Sequence, residues 1–245
     1  MSIKKLLYWC IFLAFYTPLF AKEYTVGVEY IDYYPFYSVN HNGEYVGYAR
    51  DVLDLFSKTR KIKFTYEVRT VRKLDQEFLA ERRFDFKFPD NKSWKAENKK
   101  GFELFYSSPV CDFTDGVIVQ EENQEKDLKF FKATGIGTVR GYSMPGYEKT
   151  DVPILESPNI TTLIENLKYN RIAGAYFNVA VALNRVSSNE GGKEKFIFNQ
   201  KLPYYKSSFY LSTFDHPDII YDFNQFLKEH AAEINNLRQK YGIKE

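Results

Sequence analysis

Apolar positions along this chain alternate between two rhythms, a strand-like period of two and a helix-like period near 3.6, and the switch recurs several times. Tyr24-Thr-Val-Gly-Val-Glu-Tyr30 predicts a first strand, and Tyr33-Tyr-Pro-Phe36 the loop that leaves it. Asn40-His-Asn-Gly43 is a turn cluster. From Gly47 onward, Val52, Leu55 and Phe56 recur at helical spacing, with Asp51 and Asp54 facing out. Lys63 to Val71 alternates as a strand with Phe64, Tyr66 and Val68 on one face, and Val71, Leu74, Phe78 and Leu79 form a second helical stripe. Phe84-Asp-Phe-Lys-Phe88 predicts a third strand, stopped by Pro89. Strand, helix, strand, helix, strand is the order of a parallel sheet with helices on its faces.

Residues 121–129 read as a polar linker, after which the rhythm restarts. Gly135 to Val139 is strand-like, Arg140 to Gly146 a loop, Thr162 to Lys168 a helix and Ala173 to Phe177 a strand. Phe209 to Phe214 predicts one more strand, and Pro217 to Tyr241 a closing helix or helix pair. No internal repeat or low-complexity tract interrupts the chain.

The N-terminus follows a different pattern. Lys4 and Lys5 precede a mostly apolar run, Leu6 to Ala21, which Pro18 breaks near its end. A positive start, a short apolar middle and a small-residue end predict a secretory signal peptide, residues 1–21, cut after Ala21. The run is too short and too interrupted for a membrane span. Cys10 follows the bulky Trp9, which excludes a lipoprotein attachment site. Cleavage takes the formal charge from +2 to 0. A neutral chain gives no support for nucleic-acid or anionic-membrane binding, and the cluster Lys58, Arg60, Lys61 and Lys63 is diluted by Glu67 and the acids of the preceding helix. Only Cys111 remains of the two cysteines, so no internal disulfide forms and packing alone must stabilise the fold. Twenty tyrosines and 22 phenylalanines supply core volume and polar-tipped faces suited to a ligand cleft.

Several short motifs, in order and spacing, resemble those of the bacterial extracellular solute-binding proteins of family 3, the amino-acid-type periplasmic binding proteins. They are Val26-Gly-Val with Tyr34-Pro-Phe36, Gly43 with Gly47-Tyr-Ala-Arg-Asp51, Phe84-Asp85, Tyr106-Ser-Ser-Pro109, Asn224-Gln-Phe-Leu227 and Lys240-Tyr-Gly242. The resemblance covers nearly all of 23–243. It implies an α/β type II periplasmic-binding-protein-like fold: two lobes joined by two crossing strands that act as a hinge, with ligand in the cleft. The crossings would fall near Asp115–Val119 and Lys206–Leu211, with lobe one at 22–114 and 210–245 and lobe two at 115–209.

On that resemblance, ligand contacts fall on the loops beyond the strands' carboxyl ends. Tyr33, Tyr34 and Phe36 leave the first strand where the family stacks an aromatic on its ligand, and Tyr33 is the first choice. Arg72 stands at a family ligand contact and could grip a carboxylate or phosphate bidentately. Asp90, Lys92 and Trp94 bring a carboxylate, an ammonium and a stacking face to the loop after the third strand. The family's carboxylate-clamping arginine is missing, with Glu97 or Lys100 in its place. Gly137-Thr-Val-Arg-Gly-Tyr-Ser143 resembles a loop that leads into a helix and offers N–H groups to an anion, with Arg140, Tyr142 and Ser143 as contacts and Ser143 as N-cap. Asn178 stands where relatives place the acid that pairs with an α-ammonium.

Both charged anchors of amino-acid recognition are therefore absent. The expected role is a periplasmic, monomeric solute-binding protein that captures a small polar or anionic solute, not a standard α-amino acid, for a transporter (an ABC permease) or a receptor or sensor. The alternative is an exported enzyme on the same scaffold, cyclohexadienyl-dehydratase-like, using Asp90 or Glu97. No cofactor or metal is expected, because His41, His216 and His230 lie far apart without ligand spacing. Chain recovered from the periplasm should lack residues 1–21 by intact mass; full-length chain held in the inner membrane would overturn the export prediction.

Overall fold

The computed structural model describes residues 22–187 and 195–243. The predicted signal peptide lies outside the described residues. Among those residues, no helix is long and apolar enough to cross a membrane.

The first half of the chain builds β1 (Glu23–Glu29), a small hairpin β2 (Ser38–Val39) and β3 (Tyr45–Val46), α1 (Tyr48–Arg60), β4 (Lys63–Arg69), α2 (Val71–Leu79), β5 (Phe86–Asp90) and β6 (Phe105–Tyr106). A long strand, β7 (Cys111–Gln120), leads to α3 (Leu128–Thr134), β8 (Ile136–Val139), β9 (Ile154–Ser157), α4 (Ile160–Lys168), β10 (Ala175–Asn178), α5 (Val179–Ser187) and β11 (Phe196–Phe198). The chain returns along β12 (Tyr205–Thr213) and closes with α6 (Pro217–Glu229) and α7 (Ala231–Lys240).

The strands run in the order β4-β1-β5-β12-β7-β10-β8-β9. On one side β4, β1 and β5 are parallel, and on the other β10, β8 and β9 are parallel. Between them β12 pairs antiparallel with β7, from Tyr205 opposite Asp115 to Phe209 opposite Cys111. These two strands join the halves.

Both faces of β1 are covered, as a central parallel strand requires. Tyr24, Val26 and Val28 are buried in the same core cluster as Val52, Leu53 and Phe56 of α1 and Phe223 and Phe226 of α6. The Phe56 ring meets Phe223 at 4.9 Å and Phe226 at 5.3 Å. On the other face a Cβ at Gly27 would collide with Leu74 of α2 and with Phe84 at 2.6 Å, so the helix seats directly on the strand. Thr25, Gly27 and Glu29 share that second face, because successive strand residues point to opposite sides. Gly47 holds the start of α1 at φ 113°, and a Cβ there would lie 2.8 Å from the Tyr37 Cα. That close approach seats the 33–37 loop against the helix.

Two expectations are corrected. Pro89 does not stop the third strand. Tyr210 pairs with Asp90 and Ser212 with Lys87, so two residues of β5 stand opposite Leu211 alone. Pro89 sits in that bulge, where the ladder is interrupted and a missing N–H costs little. No helix begins at Ser143 either. The backbone turns back, with Tyr142 N–H donating to the Val139 carbonyl, and the next helix is α4, capped by Asn159 accepting from Thr162 N–H at 2.9 Å.

Phe56→Ala should cost about 3–5 kcal/mol, read as a lower urea midpoint at unchanged m-value. A loss under about 1 kcal/mol would mean that the α1–α6 packing is not the core.

Candidate functional site

The carboxyl ends of β1 and β5 face those of β8 and β10 across the β7–β12 pairing, so loops from both halves meet there. Tyr33, on the loop after β1, is buried and stacks on Tyr37 with centroids 5.3 Å apart. It also meets Phe177 of β10 at 5.6 Å and Phe209 of β12 at 6.3 Å. Its hydroxyl lies 2.8 Å from that of Tyr142, on the loop after β8. Tyr142 packs on Phe177 at 4.5 Å. Phe209 stacks on Phe113 of β7 at 4.5 Å and meets the Trp94 ring at 6.0 Å. The junction is thus a nearly continuous aromatic layer.

Polar groups are set into that layer. Asp115 of β7 is buried, and burial pushes its carboxyl up to about 6, against the Tyr142 hydroxyl and the Asn178 amide, which favour its charge. Asn178 donates to Asp115 at 3.3 Å and accepts from Val181 N–H at 3.1 Å, so it also caps α5. At the rim Arg185 of α5 donates to Asp32 after β1. Burial works against the Asp32 charge, but Arg185 and Ser38 outweigh it and hold the carboxyl below the usual range. A half-exposed ion pair of this kind contributes at most about 1 kcal/mol.

Against this layer, on the α2 side, lies a cavity of about 280 Å³. Val71, Asp75 and Leu79 line it from α2, Glu29 from the end of β1, Lys87 from β5, and Trp94, Lys95 and Lys99 from the segment after β5. Val71, Asp75 and Leu79 are the i, i+4, i+8 row of the helix. Lys87 Nζ is 2.6 Å from Asp75 and 3.5 Å from Asp90. Lys95 pairs with the second Asp75 oxygen at 2.6 Å, and Lys99 pairs with Asp90 at 2.6 Å. Ser212 hydroxyl and Asn91 N–H complete the fully buried Asp90. Burial opposes the Lys87 charge, but Asp90 and Asp75 hold its pKa above the usual lysine value, whereas burial leaves Lys99 below it. Glu29 accepts from the Tyr37 hydroxyl at 3.0 Å. Burial pushes it up to about 7, although Lys87 and Tyr37 favour its charge.

Of the residues singled out in the sequence, Tyr33, Tyr142 and Asn178 meet at the junction. Phe36 supports them from behind, 5.4 Å from the Phe209 ring. Trp94 lines the cavity and Asp90 lies under its lysines. Arg72, Lys92 and Ser143 are exposed, and none of them lines the cavity. Arg140 is exposed too, 3.6 Å from Glu156. Glu97 and Lys100, the two candidates for the missing arginine's place, pair with each other in solvent at 2.6 Å. Sequence reasoning missed Glu29, Asp75, Lys87, Lys99 and Asp115. Their one trace was the charge of Lys87 and Asp115 inside otherwise apolar strands. Among the described residues, no group of three or more His, Cys, Asp or Glu side chains could hold a metal ion.

Solved structures share this architecture. An ancestral cationic amino acid solute-binding protein superposes with a TM-score of 0.70 at 16% identity, over 89% of this chain and 95% of its own. Substrate-binding domain 2 of Lactococcus lactis GlnP, in its open conformation, matches with a TM-score of 0.68 at 16% identity, over 90% and 95%. The fold is that of the type II periplasmic binding proteins. The GluR0 ligand-binding core in complex with L-glutamate matches as well, with a TM-score of 0.68 at 13% identity over 90% and 98%. No protein-family profile matches the chain, and no curated protein matches it in sequence.

Glu29 makes stability depend on pH. Its carboxyl rises from 4.5 to about 7 in the fold. Between those values the folded chain keeps a proton that the unfolded chain has released, so stability falls as pH rises through the window. Glu29→Gln should remove roughly 3 kcal/mol of that fall, seen as a flatter urea-midpoint profile between pH 5 and pH 8. Parallel profiles for the variant and the parent chain would contradict the assignment.

Proposed function

We propose that this chain is an exported solute-binding protein that closes two lobes on a small polar or anionic solute and presents it to a membrane transporter or receptor. The lobes would be 22–114 with 210–245, and 115–209, hinged on β7 and β12. One observation carries the reading: Tyr33 and Tyr142, from loops on opposite halves, meet hydroxyl to hydroxyl at 2.8 Å beside a charged cavity. A catch of this kind makes and breaks when only the few backbone dihedrals of two connecting strands change.

Two of the similar structures carry arginine and L-glutamate, ligands with an α-carboxylate and an α-ammonium. Here the neutral Asn178 is engaged with Asp115 and the cap of α5, and Glu97 and Lys100 neutralise each other in solvent. This arrangement favours a solute other than a standard α-amino acid. Losing two charge-assisted contacts of about 1.5–3 kcal/mol each weakens such a ligand by two to four decades.

A second reading is an enzyme on the same scaffold, and one similar structure is an ancestral amino-acid-binding protein described as a precursor of cyclohexadienyl dehydratase. In this chain the group suited to proton transfer is Glu29, buried at a cavity with its carboxyl near neutrality. Asp90 has its oxygens occupied by lysine, serine and backbone donors, and Glu97 is exposed.

A thermal-shift screen of small solutes separates these outcomes. A solute at 100 times its dissociation constant stabilises by about 2.7 kcal/mol, roughly 5–10 °C for a chain of this size. Organic anions should give that shift and the twenty amino acids should not. An amino acid giving the full shift would overturn the solute class, and turnover of the stabilising solute, abolished by Glu29→Gln, would favour the enzyme.

A further inference from the structure

Three ammonium groups, Lys87, Lys95 and Lys99, meet three carboxyl groups at the cavity, and the lysines hold only two of them. Glu29, the third, takes its hydrogen bond from Tyr37 and forms no ion pair with a lysine among the described residues. With Glu29 ionised the charges balance. With Glu29 protonated the cavity carries one uncompensated ammonium. Trp94, Val71 and Leu79 supply an apolar wall beside that charge.

We propose that the cavity binds a small organic monoanion with a flat apolar body, whose charge replaces that of Glu29 among the three lysines, so that binding draws one proton from solvent onto Glu29. The inference rests on the solute-binding reading, gives it a ligand class, and seats the anion on lobe one, whose residues alone line the cavity. A second negative charge beside Glu29, which no lysine pairs, disfavours its ionised form. Lys87 and Asp90 from β5, Asp75 from α2, and Tyr37 and Tyr45 from the hairpin side all act on Glu29. Asp75 and Asp90 already push its carboxyl up, and a bound anion adds to that push. Lys95, on the segment after β5, is half-exposed and can turn from Asp75 toward a ligand carboxylate while Lys87 keeps Asp75 paired, and Lys99 adds its charge from its place on Asp90.

Trp94 is the sole tryptophan of residues 22–245, so its fluorescence reports on the cavity directly. The chain from Lys22 onward is titrated with benzoate, its neutral analogue benzamide and the cation benzylamine, and calorimetry in phosphate and Tris buffers at pH 7.5 counts protons. Benzoate should change Trp94 fluorescence saturably and bind at least about tenfold more tightly than either analogue. It should take up a fraction of one proton and weaken by about tenfold per pH unit above pH 7. Glu29→Gln should bind benzoate with no proton uptake and a flat pH profile, and Lys99→Met should bind about tenfold more weakly. Equal or tighter binding of benzamide or benzylamine, or the same proton uptake in Glu29→Gln, overturns the proposal. So does the absence of a saturable response to any probe. In that last case a stabilising solute from the thermal screen leaves the solute-binding reading standing, whereas a screen without one removes both.

Discussion

The pairing of β7 with β12 is the constraint on which the rest of the molecule depends. Five residue pairs, from Tyr205 opposite Asp115 to Phe209 opposite Cys111, join two parallel sheets that otherwise have separate helices. Phe209 stands at the end of that ladder. Its ring touches Tyr33, Phe36 and Tyr37 on one side, Phe88 on β5, and Phe113 and Trp94 on the other. The side chain at the end of the crossing ladder therefore also anchors the 33–37 loop and Trp94. One buried aromatic surface thus joins the crossing strands to Tyr33 and to Trp94 of the cavity wall.

Electrostatics gives that surface its chemistry. Buried charges persist only when they are paired, and the α2 side of β1 and β5 shows how the sequence achieves this. Lys87 lies between Asp75 and Asp90, Lys99 completes Asp90, and Lys95 completes Asp75. Glu29 stands outside that pairing and remains poised near neutrality. A purely structural cluster would have no need of a third carboxyl facing an open volume. The surplus acid makes the cavity responsive to the charge of whatever enters it.

Much of the fold was legible in the sequence. The strand and helix stripes of the first half lie within a few residues of the observed elements, because those segments alternate cleanly and Gly47 and Gly43 mark their ends. Tyr33 was singled out by family resemblance alone, and it lies in the aromatic layer between the two halves. Arg72, Lys92 and Arg140 lie in solvent. Arg72 adjoins Val71, but one residue turns a helix by about 100°, enough to move its side chain from the cavity row to solvent. Lys87 showed in the sequence only as a charge inside an apolar strand, and it is the packing of α2 on that face that brings Asp75 to it. Pro89 read as a stop because a bulge leaves no mark in local pattern. Ser143 failed as a cap because the loop after β8 turns back on itself, and Asn159 serves the next helix instead.

The central claim is that the molecule is a two-lobed clamp held shut by Tyr33–Tyr142 and Asp32–Arg185. Spin labels on Lys58→Cys in α1 and Glu165→Cys in α4, both exposed positions, measure it directly by their separation in solution. Cys111 is buried and its thiol is pushed up to about 12, so it does not compete for label. The account predicts one narrow distance for the chain with its catch intact, and a second, displaced population when Tyr142→Phe and Asp32→Ala are combined. The same narrow distance in both would show a rigid junction and contradict the clamp.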